Sequence, residues 1–326
     1  MKVTVLGAGA WGTALAKILH QGGHAVTLWG HNPAGLEKMR QTGRNERYLP
    51  GVELPRDWVL EPDAVRAISG TEFVIVAVPS KAFRETTALL ANFSGVVVSV
   101  TKGLEHETGL TMCGVLGDTA PKSRRVALSG PTFALEVARG IPTACVAASL
   151  DVEGAAAAQQ LLHGPAFRVY TSSDLLGVEL GGALKNVIAI AAGVCDGLGF
   201  GDSSKAALIT RSMAEVRRLG VACHAQAETF SGLSGLGDLT VTCFSKLSRN
   251  RGFGERLGKG EKLADVLANM VAVAEGYPTA RSAYFLAQRK KVETPVIDEV
   301  YRMLYEGKNL ARGVRDLMSR ESKPED

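Results

Sequence analysis

The sequence predicts an α/β protein in which a doubly wound, mainly parallel sheet is followed by an all-helical domain. Three observations support this architecture. Short apolar runs without polar alternation recur in the first half of the chain, as is typical of strands covered on both faces. Segments with helical periodicity separate these runs, which is the order of right-handed βαβ units. Later in the chain only helical patterns remain, so we predict an α/β domain at residues 1–175 and a helical domain at 176–326.

The predicted elements follow this division in chain order. Seven strands are expected in the first domain, at Val3–Leu6, Ala25–Trp29, Phe73–Val78, Val96–Val100, Arg125–Ser129, Thr143–Ala148 and Phe167–Tyr170. Its clearest helical patterns are Ala10–His20 and Val152–Leu162. Helices of the second domain are expected at Val178–Val194, Ser203–Leu219, Lys262–Met270, Thr279–Lys290 and Pro295–Tyr305. The length of 326 residues agrees with two domains, since one domain usually has ~100–200 residues.

Composition argues against several classes of protein. There are 37 basic and 33 acidic residues, a formal net charge of +4, and no basic block, so nucleic acid is not an expected partner. This mild positive charge suits a small anionic substrate. The most apolar helical stretch, Val178–Cys195, contains charged residues and falls short of the ~20 apolar residues of a membrane span. The chain enters a strand-like run at Lys2 without a signal-peptide pattern, so we expect a cytoplasmic protein.

The cysteines indicate neither a disulfide framework nor a metal site. Their number is odd, and no CxxC pair occurs among them. Disulfides are also rare in reducing compartments. We therefore predict free thiols and no metal; the five cysteines are Cys113, Cys145, Cys195, Cys223 and Cys243.

A glycine-rich turn follows the first strand. Residues 7–12, GAGAWG, match G-x-G-x-x-G between a predicted strand and a predicted helix, the context that makes this pattern specific. Gly7 permits the tight turn, Gly9 lets the backbone approach a pyrophosphate, and Gly12 allows close packing of helix and strand. The helix N-terminus offers N–H groups to the phosphates. We therefore predict a Rossmann-type domain that binds a nicotinamide dinucleotide.

The second strand lacks the acidic residue that would select NAD(H). In an NAD-selective site an Asp or Glu at its end binds the ribose 2′-hydroxyl, but this chain continues Gly30-His31-Asn32. His31, with Arg40 or Arg44 nearby in sequence, could instead meet a 2′-phosphate. We predict that NADP(H) is accepted, with or without NAD(H); the alternative is that His31 only caps a loop.

Three further strand ends carry candidate groups, because ligands of open α/β sheets lie at the carboxyl ends of the strands. The strand Phe73–Val78 is followed by Pro79-Ser80, and residues 129–132 form a small-residue loop. Lys102 comes directly after the strand Val96–Val100 and is followed by glycine, which would place a cation in the crevice. The alternative for Lys102 is a solvated loop lysine.

A lysine also stands inside the most apolar helix of the second domain. The segment 179–190 reads ELGGALKNVIAI, with Lys185 and Asn186 among apolar residues. Burial lowers the pKa of a lysine toward the range of a general base. The two glycines suggest close approach of a backbone or a ligand, since each costs ~1 kcal/mol relative to alanine. The alternative for Lys185 is a structural ion pair with Glu179 or another carboxylate.

Polar residues farther along suit a phosphate ester. Asp238 follows a glycine where a helix begins, and Thr242 lies four residues on, on the same helix face. Residues 248–250, Ser-Arg-Asn, offer a guanidinium between two short hydrogen-bonding side chains, a set that suits phosphate. The alternatives are an N-cap for Asp238 and a polar surface turn for residues 248–250.

In this order the motifs resemble the bacterial NAD(P)-dependent sn-glycerol-3-phosphate dehydrogenase family. The resemblance extends from Gly7 to Glu275 and rests on GAGAWGTALA, NERYLPG (residues 45–51), VPS, TKGLE, SGPTFA, ELGGALKNVIAIAAG, GLGDLTVTC, SRNR and AEG. The chain departs from the family pattern at Ser203, Ser204 and Ser212, none of which has an assigned role. The resemblance implies reversible reduction of dihydroxyacetone phosphate to sn-glycerol 3-phosphate with NAD(P)H, for glycerophospholipid synthesis.

The resemblance also implies roles for individual residues. Lys185 is the general acid/base on the C2 oxygen, and Lys102 and Asp238 complete the catalytic set. The implied substrate-binding residues are Lys102, Gly130, Thr132, Lys185, Asp238, Thr242, Ser248, Arg249 and Asn250. The implied cofactor-binding residues are Gly7, Gly9, Ala10, Trp11, Gly12, His31, Lys102, Ala134, Arg249, Val273 and Glu275.

Two other interpretations remain open. A related two-domain ketoacid or ketopantoate reductase would also have a lysine on the first helix of its helical domain, although Lys102 and residues 248–250 favour a phosphate ester. A redox-sensing dinucleotide-binding protein without turnover would gain nothing from a lysine in an apolar helix. The only indication of quaternary structure is that helical second domains often pair, which favours a homodimer.

Overall fold

The structure, a computed structural model, describes residues 1–270 and 274–321. Eight strands form one sheet: β1 (Lys2–Leu6), β2 (Ala25–Trp29), β3 (Val59–Glu61), β4 (Phe73–Val76), β5 (Val96–Ser99), β6 (Arg124–Ser129), β7 (Thr143–Ala148) and β8 (Phe167–Ser172). Their order is β3-β2-β1-β4-β5-β6-β7-β8, and all neighbours are parallel except β6 and β7. The predicted mainly parallel sheet is confirmed.

Helices cover both faces of this sheet. They are α1 (Ala10–Gln21), α2 (Pro33–Thr42), α3 (Ala64–Ile68), α4 (Ser80–Thr87), α5 (Met112–Thr119), α6 (Ala134–Ala138) and α7 (Val152–Leu162), with a 3₁₀ turn at Ala88–Leu90. Successive strand residues face opposite ways, so in β4 Ile75 joins the apolar core on one face while Val74 and Val76 join the core on the other. Burial on both faces explains why the strands read as continuous apolar runs.

After β8, the described part of the chain contains helices and no strand. The helices are α8 (Leu175–Gly197), α9 (Asp202–Ala222), α10 (Asp238–Phe244), α11 (Arg249–Gly258), α12 (Leu263–Ala268), α13 (Gly276–Lys290), α14 (Pro295–Tyr305) and α15 (Leu310–Met318). A 3₁₀ turn, Ala227–Ser231, and a π-helical turn, Leu233–Gly237, precede α10. The predicted all-helical second half is confirmed.

Helix α8 forms the centre of the helical part. Among the described residues it is the one helix long and apolar enough to cross a membrane, but 94% of its most apolar stretch is buried inside the fold. Its length and composition are therefore those of a core helix. Asp174 fixes its start, because the carboxylate accepts hydrogen bonds from the N–H of Gly177 at 3.0 Å and from the N–H of Gln226 at 2.9 Å.

Glycines allow α8 and α11 to touch along their backbones. A Cβ added to Gly193 would lie 1.9 Å from the carbonyl oxygen of Arg251, and one added to Gly254 would lie 2.0 Å from that of Ile190. Neither position has room for a side chain. We call this contact, formed by Gly193 on α8 and Gly254 on α11, the glycine seam. It locks the two helices together.

The structure adds elements that the sequence patterns did not predict. Strand β3 has three residues and lies at the sheet edge, and β7 runs antiparallel to β6. Helices α2 to α6, α11 and α15 were also not predicted. Most of these are short, and α11 is rich in glycine and charged residues, so its helix depends on packing against α8.

Candidate active site

The glycine turn has the shape that a dinucleotide requires. Gly7 has φ of +124°, and a Cβ there would lie 2.6 Å from the carbonyl oxygen of Ala77. A Cβ on Gly12 would lie 1.9 Å from the carbonyl oxygen of Gly7, whereas one on Gly9 would meet nothing within 4 Å. No side chain in the described residues caps α1, so the N–H groups of its first turn are available to a pyrophosphate. The turn fits the predicted cofactor.

The three basic side chains predicted near the ribose differ in their surroundings. Arg40 is paired with Glu37, and Arg44 donates to Glu53 at 3.1 Å. His31, at the end of β2, is exposed and has no ionic partner in the described part of the chain. Of the three, His31 is therefore the side chain that is not already paired.

Two lysines meet on one carboxylate at the carboxyl end of the sheet. The Nζ atom of Lys185 lies 2.5 Å from Oδ1 of Asp238, and the Nζ atom of Lys102 lies 2.7 Å from Oδ2. Lys185 also donates to Oγ1 of Thr242 at 2.7 Å. Asp238 is 1% exposed and Lys185 is 7% exposed, so these charges interact in a low dielectric. We call these four residues the two-lysine cluster.

Burial tunes the acidity of Lys185. Desolvation lowers the pKa of its ammonium group to about 8, although the charge of Asp238 opposes the shift. The predicted alternative partner, Glu179, instead accepts a hydrogen bond from the N–H of Cys113 at 2.8 Å. Lys185 is thus paired, but with Asp238, and its pKa lies close to neutrality.

Lys102 is held by the loop that follows β6. Its ammonium group donates to the carbonyl oxygen of Gly130 at 2.9 Å and approaches Oγ1 of Thr132 at 3.5 Å. Gly130 has φ of +147°, and a Cβ there would lie 2.8 Å from Cα of Cys145. These contacts place Lys102 at the site and not in solvent, so the interpretation as a solvated loop lysine is wrong.

A π-helical turn delivers Asp238 to the lysines. Residues Leu233–Gly237 form this turn, and Asp238 is the first residue of α10. Its carboxylate does not cap the helix; it accepts hydrogen bonds from both lysines and, at 3.3 Å, from Thr242. The interpretation of Asp238 as a simple N-cap is therefore wrong, and the shared helix face with Thr242 is confirmed.

Residues 248–250 form the start of α11 and not a surface turn. Ser248 caps the helix by accepting a hydrogen bond from the N–H of Arg251 at 3.2 Å. Arg249 has no hydrogen-bond partner and no ion pair among the described residues, and it is exposed to solvent. The protein around it nevertheless lowers its pKa by desolvation. Arg249 is thus a partly desolvated side chain that lines a pocket at the start of α11.

Asn250 belongs to a chain of side-chain amides. Its Nδ2 donates to Oδ1 of Asn186 at 2.8 Å, and its Oδ1 accepts from the N–H of Gly276 at 2.9 Å. Asn186 in turn donates to the carbonyl oxygen of Lys102 at 3.1 Å. In the sequence Asn186 stands out as a polar residue in an apolar helix, but no role was predicted for it. In the structure it joins the Lys102 loop to α8 and α11.

Glu275 contacts the loop after β4. Its carboxylate accepts hydrogen bonds from the backbone N–H of Ser80 at 3.1 Å and from the Ser80 hydroxyl at 2.5 Å. Burial raises the pKa of Glu275, and Arg249 opposes the shift by its charge. The strand end at Ser80 and the motif residue Glu275, far apart in sequence, therefore lie together beside Arg249.

The comparisons with known proteins agree with this geometry. The family model for the N-terminus of NAD-dependent glycerol-3-phosphate dehydrogenase matches residues 2–155, and the model for its C-terminus matches residues 174–315. The chain belongs to the NAD-dependent glycerol-3-phosphate dehydrogenase family. Membership confirms the predicted NAD(P)-dependent oxidoreductase that interconverts dihydroxyacetone phosphate and sn-glycerol 3-phosphate, and it decides against the ketopantoate-type and sensor interpretations.

Relatives of this glycerol-3-phosphate dehydrogenase family match over their full length. Two proteins named glycerol-3-phosphate dehydrogenase [NAD(P)+], from Chlorobium phaeobacteroides strain BS1 and Syntrophotalea carbinolica, are 45% and 48% identical to this chain. Each match covers 100% of this chain and 99% of the relative. The crystal structure of glycerol-3-phosphate dehydrogenase from Coxiella burnetii is 35% identical, with a TM-score of 0.94, and the match covers 98% of this chain and 99% of that one.

The remaining predicted residues of this family member are placed as follows. Ala10 and Trp11 begin α1, with the Trp11 ring 6.4 Å from that of Phe167, and Ala134 begins α6. Val273 lies outside the described residues. All five cysteines are buried free thiols, as predicted. Within residues 1–270 and 274–321 no group of three or more metal-binding side chains occurs.

Proposed function

We propose that Lys185 is the general acid that protonates the C2 oxygen of dihydroxyacetone phosphate, and the general base for the reverse reaction. When bound, the nicotinamide supplies the hydride in reduction and accepts it in oxidation. Lys185 gives its proton to the C2 oxygen and regains one from solvent. A pKa of about 8 suits this role, because a group that titrates near the working pH can both donate and accept a proton.

The observation that carries this proposal is the shared carboxylate of Asp238. Each of its oxygens binds one lysine, so a single negative charge offsets the repulsion between the two ammonium groups. Lys102 lies on the other oxygen of this carboxylate, where its ammonium group would stabilise negative charge that develops on the C2 oxygen. Thr242 accepts a second hydrogen bond from Lys185, so that one proton of the ammonium group remains for the substrate.

Arg249 and the start of α11 are the proposed phosphate site. A guanidinium that lacks a carboxylate partner is suited to bidentate binding of a phosphate group. The N-terminus of α11 adds backbone N–H groups and a partial positive charge. Ser248 and Asn250 support this site by capping α11 and by bonding to Asn186, in addition to any direct contact with the substrate.

The cofactor would be held at the glycine turn and along the carboxyl ends of β1 and β2. Gly7, Gly9 and Gly12 would receive the pyrophosphate at the start of α1, and His31 would face the ribose. Glu275, fixed by Ser80, would line the opposite wall of the crevice. We assign the remaining cofactor contacts, including Trp11 and Ala134, on the family resemblance.

The cellular setting is part of the same proposal. We propose that the enzyme acts in the cytoplasm as a homodimer and that it supplies sn-glycerol 3-phosphate for glycerophospholipids. We also propose that its two domains are residues 1–175 and 176–326. Light scattering coupled to size exclusion measures the oligomeric state.

The test combines a substrate panel with one substitution. Purified enzyme is expected to oxidise NADPH with dihydroxyacetone phosphate and not with ketopantoate. Asp238→Asn removes the charge shared by both lysines, so we expect kcat to fall at least about 100-fold. The matched control is Asp265→Asn on the exposed face of α12, which is expected to keep wild-type kcat. Normal turnover of Asp238→Asn would remove the cluster from the mechanism.

A further inference from the structure

A side chain outside the glycine turn controls the shape of that turn. Asn45 lies in the loop after α2 and is 5% exposed. Its Nδ2 atom donates to the carbonyl oxygen of Ala8 at 3.1 Å and to Oγ1 of Thr13 at 2.8 Å. The Asn45 amide thus links Ala8, the second residue of the glycine turn, to Thr13 at the start of helix α1.

The direction of the Ala8 carbonyl determines where the next N–H points. In a trans peptide the C=O and the following N–H point in opposite directions, and the described residues contain no cis peptide. Because Asn45 holds the Ala8 carbonyl, the N–H of Gly9 is directed away from Asn45. Gly9 itself leaves room for a ligand, because a Cβ added there would meet nothing within 4 Å.

The loop that carries Asn45 is itself rigid. Arg44 and Glu53 form an antiparallel bridge that closes it, and their side chains pair at 3.1 Å. The N–H of Leu49 donates to the carbonyl oxygen of Asn45 at 2.7 Å, and Leu49 is 1% exposed in the core of the α/β part. The loop therefore presents Asn45 to the turn in a fixed position.

We propose that Asn45 is a positioning residue for the cofactor: its amide holds the Ala8 carbonyl back and so aims the Gly9 N–H at the pyrophosphate. This inference rests on the proposed placement of the cofactor over the glycine turn. Asn45 would touch the backbone and not the cofactor. Its replacement is therefore expected to weaken cofactor binding without affecting the two-lysine cluster.

The test is the dissociation constant of NADPH, measured by its fluorescence on titration with each variant of the full chain. Asn45→Asp keeps the size of the side chain but cannot donate to the Ala8 carbonyl, and we expect the constant to rise about tenfold. Thr13→Val removes the other acceptor, and we expect a rise of about threefold. Glu46→Gln, an exposed neighbour on the same loop, is the control and is expected to match the wild type.

Two further measurements separate positioning from simple stabilisation. With saturating NADPH, kcat and KM for dihydroxyacetone phosphate are expected to stay within about twofold of wild type, since a group remote from the reacting atoms alters binding alone. A variant that melts at a lower temperature but binds NADPH normally would overturn the proposal. If Asn45→Asp does not fold, Asn45→Ala decides, because it removes the donor to the Ala8 carbonyl without adding a charge: an unchanged dissociation constant overturns the proposal and a weaker one supports it.

The variant Gly9→Ala distinguishes two possible failures: a wrong role for Asn45, and a wrong placement of the cofactor over the glycine turn. The added methyl group meets no protein atom within 4 Å and φ at Gly9 is −77°, so the fold accepts it, yet it would obstruct a pyrophosphate. If Gly9→Ala weakens NADPH and Asn45→Asp does not, the Asn45 role alone is overturned. If neither variant weakens NADPH, the placement of the cofactor over the turn is overturned as well.

Discussion

The glycine turn and the two-lysine cluster are built in opposite ways. The turn takes its binding groups from the backbone of residues 7–12, and its requirements are steric: room at Gly9 and close contact at Gly12. The cluster takes four side chains from positions 102 to 242, and its requirement is a balance of charge around Asp238. We therefore expect changes in the turn to act on cofactor binding and changes in the cluster to act on turnover.

The largest effect is expected from Lys185→Ala. Loss of the proton donor should lower kcat by about 1,000-fold, within the range usual for a general acid, while the dissociation constant of NADPH stays unchanged. Stopped-flow rates and fluorescence titration measure the two quantities on the same preparation. The control, Lys246→Ala, removes an exposed lysine from the link between α10 and α11. Near-normal turnover of Lys185→Ala would contradict the assignment of cofactor binding to the glycine turn and of turnover to the two-lysine cluster.

Arg249→Ala should have the next largest effect, on substrate binding. Losing the guanidinium is expected to raise KM for dihydroxyacetone phosphate about 30-fold, as for a hydrogen bond to a charged group. The rate with dihydroxyacetone, which has no phosphate, should be unaffected. Arg256→Ala on the same helix is the control, because Arg256 already pairs with Glu261. Equal losses for both substrates would contradict a phosphate role.

The pH dependence should distinguish the two regions without any substitution. Lys185, with a pKa of about 8, is mostly protonated below that pH. Reduction needs the protonated form, so its kcat should fall above pH 8 and at pH 9 should be about one tenth of its low-pH plateau. Oxidation needs the neutral form and should rise over the same range. The glycine turn contains no titrating side chain, and NADPH binding that followed the same curve would contradict this division.

The smallest effect is expected at the ribose end of the turn. His31→Ala should lower kcat/KM for NADPH relative to NADH by about threefold, because a single exposed side chain contributes little to phosphate binding. Initial rates with both cofactors, measured side by side, give this ratio. His106→Ala, an exposed histidine in another strand-end loop, is the control. A strong NADH preference of the wild type would rule out a 2′-phosphate role for His31.

The sequence predicted the features that depend on local pattern. Strands such as Ala25–Trp29 and Thr143–Ala148, and the helix Val152–Leu162, have the predicted bounds because their apolar residues are buried on both faces or on one helix face. The glycine turn was predicted because three glycines at fixed spacing have few other uses. Lys185 and Lys102 stood out because a lysine beside or within an apolar segment is unfavourable unless its charge is paired.

Features that depend on tertiary contacts were not predictable in this way. Strand β3 is too short to show a pattern, and the reversal of β7 depends on the path of the chain through α6. Helix α11 reads as a polar turn because its stability comes from the glycine seam. The pairing of Lys185 with Asp238 and not Glu179 depends on the π-helical turn Leu233–Gly237, which no periodicity reveals.

The glycine seam would fix the length of the substrate that the proposed site accepts. Because α8 and α11 touch through Gly193 and Gly254, neither helix can slide past the other. Lys185 on α8 and Arg249 on α11 are therefore held at a constant separation. If Lys185 binds the carbonyl oxygen and Arg249 the phosphate, as proposed, these two groups of the substrate must span that same interval. We expect a ketose phosphate with one more methylene between its carbonyl and phosphate groups to reach only one of the two side chains. The packing of the α8 and α11 backbones would then determine which length of substrate is accepted.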